Sequence, residues 1–320
     1  MPEPRIVGRR ASDVRDALRQ AIARLRGANI PSHTLAAELL LMHTLGRDRA
    51  WIYSHPESAI AADDLERYFA LIARRAAGEP TQYLTGKQEF WALEFEVNPS
   101  VFIPRPETEH VVEVALERLR SGSACADLGS KTTDGKLRVA DVGTGSGCIA
   151  VALAKELRNA EIVATDISAA ALEVARRNAG QHGVAGRIQF VATDLLESFL
   201  REPRITGRQS RVTSPDSRLF DLIVSNPPYV ARDESETLAR EVRDHEPHAA
   251  LFGGPKGTEI YGRLIEEARE LLIPGGVLVL ELGYDSAPRV RPLFENNDWT
   301  RVEITNDLAG IPRVIAAEKV

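Results

Sequence analysis

The sequence predicts an α/β protein: a doubly wound, mostly parallel sheet of seven strands, preceded by a small helical bundle and a β-hairpin arm. Apolar strand-like runs alternate with helical patterns after Leu137, which is typical of a parallel sheet covered by helices. Before about residue 80 the chain has helical periodicity and no strand-like alternation. With 320 residues, 43% hydrophobic and 27% charged, the composition fits a folded chain of about two domains.

The first part of the chain predicts a helical bundle rich in Ala, Leu and Arg. Apolar residues recur at helical spacing from Ser12, the candidate N-cap, to Leu25. The same spacing returns over Leu35–Leu45 and over Asp64–Ala77, and Gly78 is suited to end the last of these helices. Nothing in this part has the pattern of a catalytic site.

Strand-forming residues follow between Thr85 and Ile103, where Phe90, Trp91 and Phe95 favour a hairpin or extended arm. A Pro-Arg-Pro sequence then ends the arm, and a helix with acidic residues in its first turn is predicted from Glu107 to Arg120. We therefore predict three parts: a helical domain at 1–84, a hairpin linker at 85–106 and an α/β domain at 107–320.

Seven strands and three main helices are predicted in the last part. The strands are Leu137–Val142, Glu161–Thr165, Arg187–Ala192, Leu219–Ser225, Gly276–Leu282, Thr300–Ile304 and Arg313–Ala317. The helices are Cys148–Leu157, Ser168–Gln181 and Thr258–Leu272. Only a short loop separates the last two strands, so we expect them to form an antiparallel pair. Two polar segments, 121–136 and 201–218, are expected to be inserted loops.

Composition excludes several classes of function. The net charge of −6 argues against stable nucleic-acid binding, which needs a basic surface. Two cysteines cannot form a disulfide framework or a four-ligand zinc site, and we expect no metal. No apolar run is long enough for a membrane span, and the first ten residues lack a signal peptide. We therefore expect a cytoplasmic protein.

A glycine-rich loop follows the first predicted strand of the sheet. The run Asp141-Val142-Gly143-Thr144-Gly145-Ser146-Gly147 leads into a helix, and Asp166 ends the next strand. Glycines let the backbone turn sharply beside a ligand, and a carboxylate in the place of Asp166 can accept the hydroxyl hydrogens of a ribose. The loop alone is compatible with NAD or with S-adenosylmethionine. Cys148, early in the helix, is expected to be a packing residue rather than a reactive thiol.

The run Ser225-Asn226-Pro227-Pro228-Tyr229 ends the fourth predicted strand, at the same edge of the sheet as the glycine loop. Proline has no N–H, so this run offers carbonyl acceptors without neighbouring donors, and the Asn226 amide oxygen adds another. If Asn226 and the Pro227 carbonyl accept the two hydrogens of an –NH₂ group, its nitrogen faces an electrophile. Tyr229 can lie flat against a planar amide or base. This pattern predicts methyl transfer to a planar nitrogen.

Two further readings of these residues stay open. Amino-directed DNA methyltransferases, which modify N6 of adenine or N4 of cytosine, also hold an exocyclic –NH₂ group, but they must extrude a base and bind a polyanion. An NAD-dependent dehydrogenase would use the glycine loop but would leave Asn226–Tyr229 without a role. The acidic net charge disfavours the DNA enzyme, and the second motif disfavours the dehydrogenase.

The motifs together resemble the HemK/PrmC family of peptide chain release factor N5-glutamine methyltransferases. The resemblance covers nearly the whole chain, and its most specific part is the run Ile103-Pro104-Arg105-Pro106-Glu107-Thr108-Glu109 together with Asn226–Tyr229. Shorter matches are Gly78-Glu79-Pro80, Gln82–Gly86, Phe90, Glu246-Pro247, Gly253-Gly254, Pro274–Gly276, Glu281, Gly283 and Asp307–Gly310 with Arg313.

The resemblance implies S-adenosylmethionine at Gly143–Gly147 and Asp166, with the adenine near Asp194 and Leu195. It implies that Asn226, Pro227, Pro228 and Tyr229 hold the glutamine of the Gly-Gly-Gln loop of class I release factors, that Asn226, Pro227 and Tyr229 act in catalysis, and that Asn226 also contacts the cofactor. Phe102 and Ile103 would line the pocket from the arm. Arg105 and Glu107 would either contact substrate or brace the helix start. Apart from the resemblance, we expect the helical domain to recognise the release factor, because a lone loop glutamine offers too little surface for specificity, and we expect a monomer.

Overall fold

The computed structural model describes residues 12–121, 136–200 and 219–320. They form two compact units: the first contains the N-terminal residues up to Gly86 together with Ala239–His245, and the second contains the rest. The predicted inserted loops lie outside the described residues, apart from the ends of the first at Ser121 and Lys136. Within the described ranges, no helix is long and apolar enough to cross a membrane.

Helices form the N-terminal part of the first unit. They are α1 (Val14–Gly27), α2 (His33–Leu45), α3 (Arg49–Ser54), α4 (Ala62–Ala76) and α5 (Thr81–Thr85). Their inner faces share one apolar core, which includes Leu25, Leu40 and Tyr68. The sequence pattern found α1, α2 and α4 but missed α3 and α5, which are too short to show helical periodicity.

The predicted N-cap of α1 is wrong by one residue. Asp13, not Ser12, caps this helix, and its carboxylate accepts a hydrogen bond from the Asp16 backbone N–H at 2.8 Å. Ser12 and Asp13 are both good N-cap residues, so propensity alone did not separate them. The choice depends on where the chain enters the helix: the backbone N–H groups of Val14 and Arg15 bond to carbonyls of the 56–58 turn.

The second unit begins with the hairpin arm, β1 (Lys87–Phe90) and β2 (Leu93–Glu96). Trp91 and Ala92 form its two-residue turn with φ of 55° and 54°, the backbone conformation that tight hairpins require. A 3-10 turn at Pro106–Thr108 then leads into α6 (Glu109–Ser121). The hairpin and the helix after it were both predicted, although regular α-helix starts two residues later than expected.

The remaining elements of the second unit build the sheet and its covering helices. The strands are β3 (Leu137–Val142), β4 (Ala160–Asp166), β5 (Ile188–Ala192), β6 (Phe220–Ser225), β7 (Val230–Ala231), β8 (Phe252–Gly254), β9 (Leu272–Glu281), β10 (Trp299–Asn306) and β11 (Pro312–Lys319). The helices are α7 (Cys148–Glu156), α8 (Ala169–Gln181), α9 (Glu197–Leu200), α10 (Arg240–His245), α11 (His248–Leu251), α12 (Glu259–Leu271) and α13 (Ala287–Val290).

In the described residues the main sheet has seven strands in the order β10-β11-β9-β6-β3-β4-β5. β9, β6, β3, β4 and β5 are parallel neighbours, while β11 runs antiparallel between β9 and β10. The predicted fold class is therefore confirmed, including the antiparallel final pair. All seven predicted strands occur; β9 starts earlier than predicted because Leu272 already pairs with Phe220.

Alternating side chains of the central strands bury the two faces of the sheet. Val139, Leu222 and Val279 lie in the core that includes residues of α6 and α7, whereas Ala140 and Ile223 lie in the core that includes residues of α12 and α13. Strands buried on both faces read as continuous apolar runs, which is why their positions were clear in the sequence. Packed on both faces, the sheet is a rigid support for its loops.

The first unit is completed by α10, a helix distant in sequence. Arg75, 4% exposed on α4, forms an ion pair with Glu241 of α10 and donates hydrogen bonds to the Glu79 and Gly78 carbonyls at 3.0 and 3.4 Å. The side chain of Arg240 lies close to Gly78, whose φ of 108° favours glycine. Burying a guanidinium requires such partners, so α10 belongs to the structure of this unit.

Candidate functional site

The carboxyl ends of the central parallel strands bring the candidate residues together. Val142, the last residue of β3, pairs with Thr165 of β4 on one side and with Ser225 of β6 on the other. The Ser225 hydroxyl donates to the Val142 carbonyl at 2.6 Å, which fixes the two strand ends. The residues that follow, the glycine loop and Asn226 with its neighbours, therefore meet at one edge of the sheet.

The glycine loop turns tightly and presents open space to a ligand. Gly143, Gly145 and Gly147 have φ of 71°, 54° and 82°, conformations that side-chain-bearing residues rarely adopt. A Cβ on Gly147 would lie 3.0 Å from that of Ala175, so this glycine allows close packing of α7 and α8. Nothing lies within 4 Å of the Cβ position of Gly143 or Gly145, which leaves room for a ligand there.

Asp141 is a buried carboxylate beneath this loop. Its Oδ2 accepts hydrogen bonds from the Thr144 hydroxyl at 2.6 Å and the Ala150 N–H at 3.0 Å, while Oδ1 has no partner. Burial raises the pKa of Asp141 to about 7, against the lowering effect of these two donors. The side chain thus holds the loop to the start of α7 and keeps one acceptor unused. Ser146 is also buried, with an unpartnered hydroxyl.

Asp166 lies at the end of β4, facing the loop. Its Oδ2 accepts from the Gly145 N–H at 2.9 Å and its Oδ1 from the Ser168 N–H at 2.8 Å. Desolvation raises the pKa of Asp166 despite these bonds. Each oxygen has bound one donor and retains a lone pair for another. The next residue, Ile167, is 66% exposed, an apolar surface beside the carboxylate that the sequence analysis did not single out.

Asp194 and Leu195 follow β5, at the same edge of the sheet. Asp194 accepts a hydrogen bond from the Arg263 guanidinium of α12 at 2.8 Å. Leu195 has a φ of 46° and packs partly against the core on the α12 face. Their backbone is tied to α12, because the Leu196 N–H donates to Glu267 at 2.8 Å. Both residues are half-buried, and their contact with an adenine stays a prediction.

Three glycines hold the segment Asn226–Tyr229 in place. A Cβ on Gly253 would lie 2.3 Å from the Pro228 carbonyl oxygen, and one on Gly257 would lie 2.4 Å from the Tyr229 carbonyl oxygen. A Cβ on Gly283 would lie 2.7 Å from the Tyr229 ring. Such distances are far below van der Waals contact, so only glycine fits at these positions.

Asn226 is half-buried and its side-chain amide is held from the arm side. The Asn226 Nδ2 donates to the Thr108 hydroxyl at 3.1 Å, which leaves its Oδ1 available as an acceptor. Pro227 is buried, and Pro228 and Tyr229 are half-buried. Burial raises the pKa of Tyr229, with Glu281 adding to the effect, so its phenol is neutral at physiological pH. The segment thus combines uncharged acceptors with an aromatic ring.

The arm before α6 is braced by Glu246. The Glu246 carboxylate forms an ion pair with Arg105 and accepts from the Ile103 N–H at 3.2 Å. The Arg105 guanidinium also lies over the Phe102 ring, 4.7 Å from its centroid. These contacts are consistent with a bracing role for Arg105, and whether it also contacts substrate stays a prediction. Ile103 is 1% exposed and Phe102 half-buried, so Phe102 offers the larger surface to a ligand.

Cys148 is buried at the start of α7, and burial raises the pKa of its thiol to about 12. The thiol is therefore protonated and inert at neutral pH, in agreement with a packing role. In the described ranges, no group of three or more His, Cys, Asp or Glu side chains is placed to hold a metal ion.

Sequence reasoning missed the partners that orient the site. In the sequence, Thr108 is one residue of the Ile103–Glu109 motif, and Glu246 and Glu281 are isolated matches to the family pattern. Thr108 reads in sequence as one polar residue at a helix start, and its contact with Asn226 spans 118 positions of the chain. The sequence feature that could have indicated this role is Thr108 itself, an uncharged hydroxyl residue between Glu107 and Glu109.

Two family models match the chain. One, described as "PrmC N-terminal domain", matches residues 16–86, and the other, "Methyltransferase small domain", matches residues 126–245. Among curated proteins, a release factor glutamine methyltransferase of Koribacter versatilis is 43% identical over 96% of this chain and 98% of its own. One of Nitratidesulfovibrio vulgaris is 41% identical over 94% of each chain.

Among solved structures, the catalytic domain of hMettl16 in complex with MAT2A 3′UTR hairpin 6 has a similar fold. The match covers 77% of this chain and 81% of the other, with a TM-score of 0.51. At 17% sequence identity, this similarity concerns the fold alone.

Proposed function

The chain belongs to the release factor glutamine methyltransferase family and is an S-adenosylmethionine-dependent methyltransferase; we propose that it methylates the side-chain nitrogen N5 of the glutamine in the Gly-Gly-Gln loop of class I peptide chain release factors. One observation carries this proposal. Asn226 donates one amide hydrogen to the Thr108 hydroxyl and so keeps its oxygen for a substrate –NH₂ group, at the edge that also holds the glycine loop.

The residues at the glycine loop fit the cofactor. Open space above Gly143 and Gly145 admits a ligand backbone, and the spare lone pairs of Asp166 suit two ribose hydroxyls. The carboxylate of Asp166 also suits a ligand with positive charge. When bound, S-adenosylmethionine supplies an electrophilic methyl group. The exposed side chain of Ile167 offers the adenine an apolar contact in addition to Leu195.

Asn226 and Pro227 then position the substrate nitrogen. The Asn226 Oδ1 accepts one hydrogen of the glutamine amide and the Pro227 carbonyl accepts the other, so the nitrogen keeps one face toward the methyl group. Orientation of this kind is worth up to about 7–11 kcal/mol in favourable intramolecular cases. The nitrogen becomes more acidic as it gains the methyl group, so no strong base is needed at the outset.

The helical unit is the proposed release-factor recognition part. A single loop glutamine buries too little surface for selective binding, because specific protein interfaces bury about 800 Å² on each partner. The match of residues 16–86 to a domain model named for this family supports a shared role. We propose a monomeric, cytoplasmic enzyme, in which Asn226, Pro227, Pro228 and Tyr229 contact substrate and Gly143–Gly147 with Asp166 contact the cofactor.

The test is transfer of labelled methyl from S-adenosylmethionine to purified release factor and, in parallel, to duplex DNA. We expect label in the release factor, on the glutamine of its Gly-Gly-Gln loop by mass spectrometry. Asn226→Ala should lower the rate by on the order of 10²–10³ with cofactor affinity retained, as for other oriented polar groups at reacting atoms. Asn297→Ala, an exposed asparagine, is the matched control. Label in DNA alone would make the amino-directed DNA enzyme correct.

A further inference from the structure

The Asn226 amide is one end of a buried hydrogen-bond chain that runs through Thr108 to Glu281. Asn226 Nδ2 lies 3.1 Å from the Thr108 hydroxyl, and that hydroxyl hydrogen-bonds the Glu281 carboxylate. Thr108 is 1% exposed and Glu281 is 2% exposed. Asn226 directly follows β6, Thr108 lies in the turn before α6, and Glu281 ends β9, so the three residues come from separate parts of the sequence.

The chain has a fixed direction because its far end is an acceptor. An ionised carboxylate can only accept hydrogen bonds, and the carbonyl oxygen of a protonated carboxyl also accepts, so the single hydroxyl hydrogen of Thr108 goes to Glu281. The hydroxyl then presents only lone pairs to Asn226, which must turn its –NH₂ group toward Thr108. Burial raises the pKa of Glu281, while the hydrogen bond from Thr108 and the positive charges of Arg313 and Arg105 favour its ionised form.

We propose that Thr108 and Glu281 are positioning residues that fix which way the Asn226 amide points and so make the site an acceptor for a primary-amide –NH₂ group. The proposal rests on the proposed function for the identity of the substrate. Without the chain, the Asn226 amide could rotate by half a turn and present –NH₂ instead of its oxygen. A site with that polarity would repel the substrate nitrogen and bind a carbonyl or carboxylate oxygen.

The geometry also separates positioning from direct catalysis. Glu281 is 2% exposed and its carboxylate hydrogen-bonds Thr108, so its assigned role is to orient Asn226 rather than to contact the substrate. The Tyr261 hydroxyl donates to the Glu281 backbone carbonyl at 2.8 Å and holds the end of β9. The role asks only for an acceptor in the place of the carboxylate, not for a charge or a base.

Kinetics of four variants test the role. Thr108→Val keeps the shape and removes the hydroxyl; we expect kcat to fall at least tenfold with cofactor Kd unchanged. Thr108→Ser should restore kcat to within about threefold. Glu281→Leu should behave like Thr108→Val, whereas Glu281→Gln, which keeps an acceptor oxygen, should retain most of the activity. Loss of activity in Glu281→Gln as large as in Glu281→Leu would overturn the proposal in favour of a required charge or base.

A double variant and a control complete the kinetics. Because both changes break one chain, Thr108→Val with Glu281→Leu should be no slower than either single variant, while independent effects would multiply. Multiplied effects would count against the chain. Thr305→Val replaces an exposed threonine of β10, outside the residues assigned to the site, and should leave kcat unchanged.

A spectroscopic measurement keeps the inference separate from the choice of substrate. In protein labelled with ¹⁵N-asparagine, the two Nδ2 hydrogens of Asn226 should be resolved and slow to exchange, and Thr108→Val should collapse this protection. Thr108→Ser should preserve it. Unchanged Asn226 signals in Thr108→Val would refute the positioning role even if methyl transfer to release factor is shown. Conversely, a lack of transfer to release factor with altered Asn226 signals would refute only the proposed substrate.

Discussion

At the scale of single residues, the two aspartates of the cofactor edge have different partners and therefore different expected roles. Asp141 uses one oxygen for two donors of the loop and helix start, which makes it a support of the glycine turn. Asp166 uses one oxygen for each of two backbone N–H groups and keeps acceptor capacity on both. The arrangement of Asp166, and not that of Asp141, suits a ligand with two neighbouring hydroxyl groups.

Asp166→Ala should weaken cofactor binding. Hydrogen bonds to a charged group are worth about 1.5–3 kcal/mol each, so losing two of them predicts at least a hundredfold rise in Kd. Calorimetry with S-adenosylhomocysteine measures it directly. Asp285→Ala removes an aspartate that is paired with Arg289 elsewhere and should leave Kd unchanged. Equal affinities of the Asp166→Ala variant and the parent protein would remove the ribose role.

The sequence indicated several residues of the candidate site, but it did not indicate which residues contact one another in the fold. The glycine loop, Asp166 and Asn226 stand out because strand ends and glycine spacing mark them. Thr108, Glu246 and Glu281 gain their importance only from contacts across the fold, such as the 143 positions between Ile103 and Glu246. A polar side chain whose partner is so distant in sequence carries no local pattern that predicts it.

At the scale of elements, the segment after β6 is shaped by the backbone of other loops. Gly253 and Gly257 stand against the carbonyls of Pro228 and Tyr229, and Gly283 stands against the Tyr229 ring. Gly253 lies in β8, Gly257 follows it, and Gly283 follows β9. The shape of the segment Asn226–Tyr229 therefore depends on several elements at once. This explains why an apparently simple Pro-Pro turn holds one conformation.

Gly283→Ala should impair catalysis more than folding. Its added methyl would lie 2.7 Å from the Tyr229 ring, which must move, and overpacking of this kind costs about 1–3 kcal/mol. We expect kcat to fall about tenfold or more. Gly262→Ala is the control, since nothing lies within 4 Å of its Cβ position within α12; it should stabilise the protein by roughly 0.5–1 kcal/mol. Unimpaired kcat in Gly283→Ala would contradict the role of Gly283 in holding the segment Asn226–Tyr229 in place.

The bounds of helices and strands were predicted well where the local sequence pattern is pronounced. The central strands were located to within a few residues because both of their faces are buried and apolar. Short helices such as α3 and α5 escaped because six and five residues hold too few turns for a period. The 3-10 turn at Pro106–Thr108 was read as α-helix because the two begin with the same residues.

At the scale of the whole molecule, two buried carboxylates connect stability to pH. Burial raises the pKa values of Asp141 and Glu281 to about 7 in the folded protein, above their ordinary values near 4. Between about pH 4 and 7 the folded state therefore binds more protons than the unfolded state. Their contribution to stability is full at low pH and is lost as pH rises to about 7.

Asp141→Asn should change this dependence. Relative to the parent protein, the variant should gain free energy of unfolding as pH rises from 5 to 7, by up to ~1.4 kcal/mol per pH unit. Urea titrations at pH 5, 6, 7 and 8 measure the difference. Asp307→Asn is the control: pairing with Arg313 lowers the pKa of Asp307, so its difference should be flat over this range. A flat difference for Asp141→Asn would show that its carboxyl is already ionised at pH 5.

The fold class of the whole molecule was predictable because alternating strands and helices leave few topologies. The composition of the first unit was not. Helix α10 follows the acceptor segment in sequence, in a stretch of charged residues that reads as an ordinary surface helix, yet it belongs with the N-terminal helices. A local sequence pattern cannot predict that Ala239–His245 packs with residues about 150 positions earlier in the chain.

Because α10 belongs to the first unit, a fragment of the protein that ends at Gly86 is incomplete. An N-terminal fragment ending at Gly86 would lack the helix that neutralises Arg75, leaving a guanidinium that is 4% exposed in the intact chain without its carboxylate. Such a fragment would lose this ion pair, and we expect its free energy of unfolding to be lower than that of the unit with α10. Fusing Ala239–His245 behind Gly86 through a flexible tether would supply the missing carboxylate and yield a separable unit.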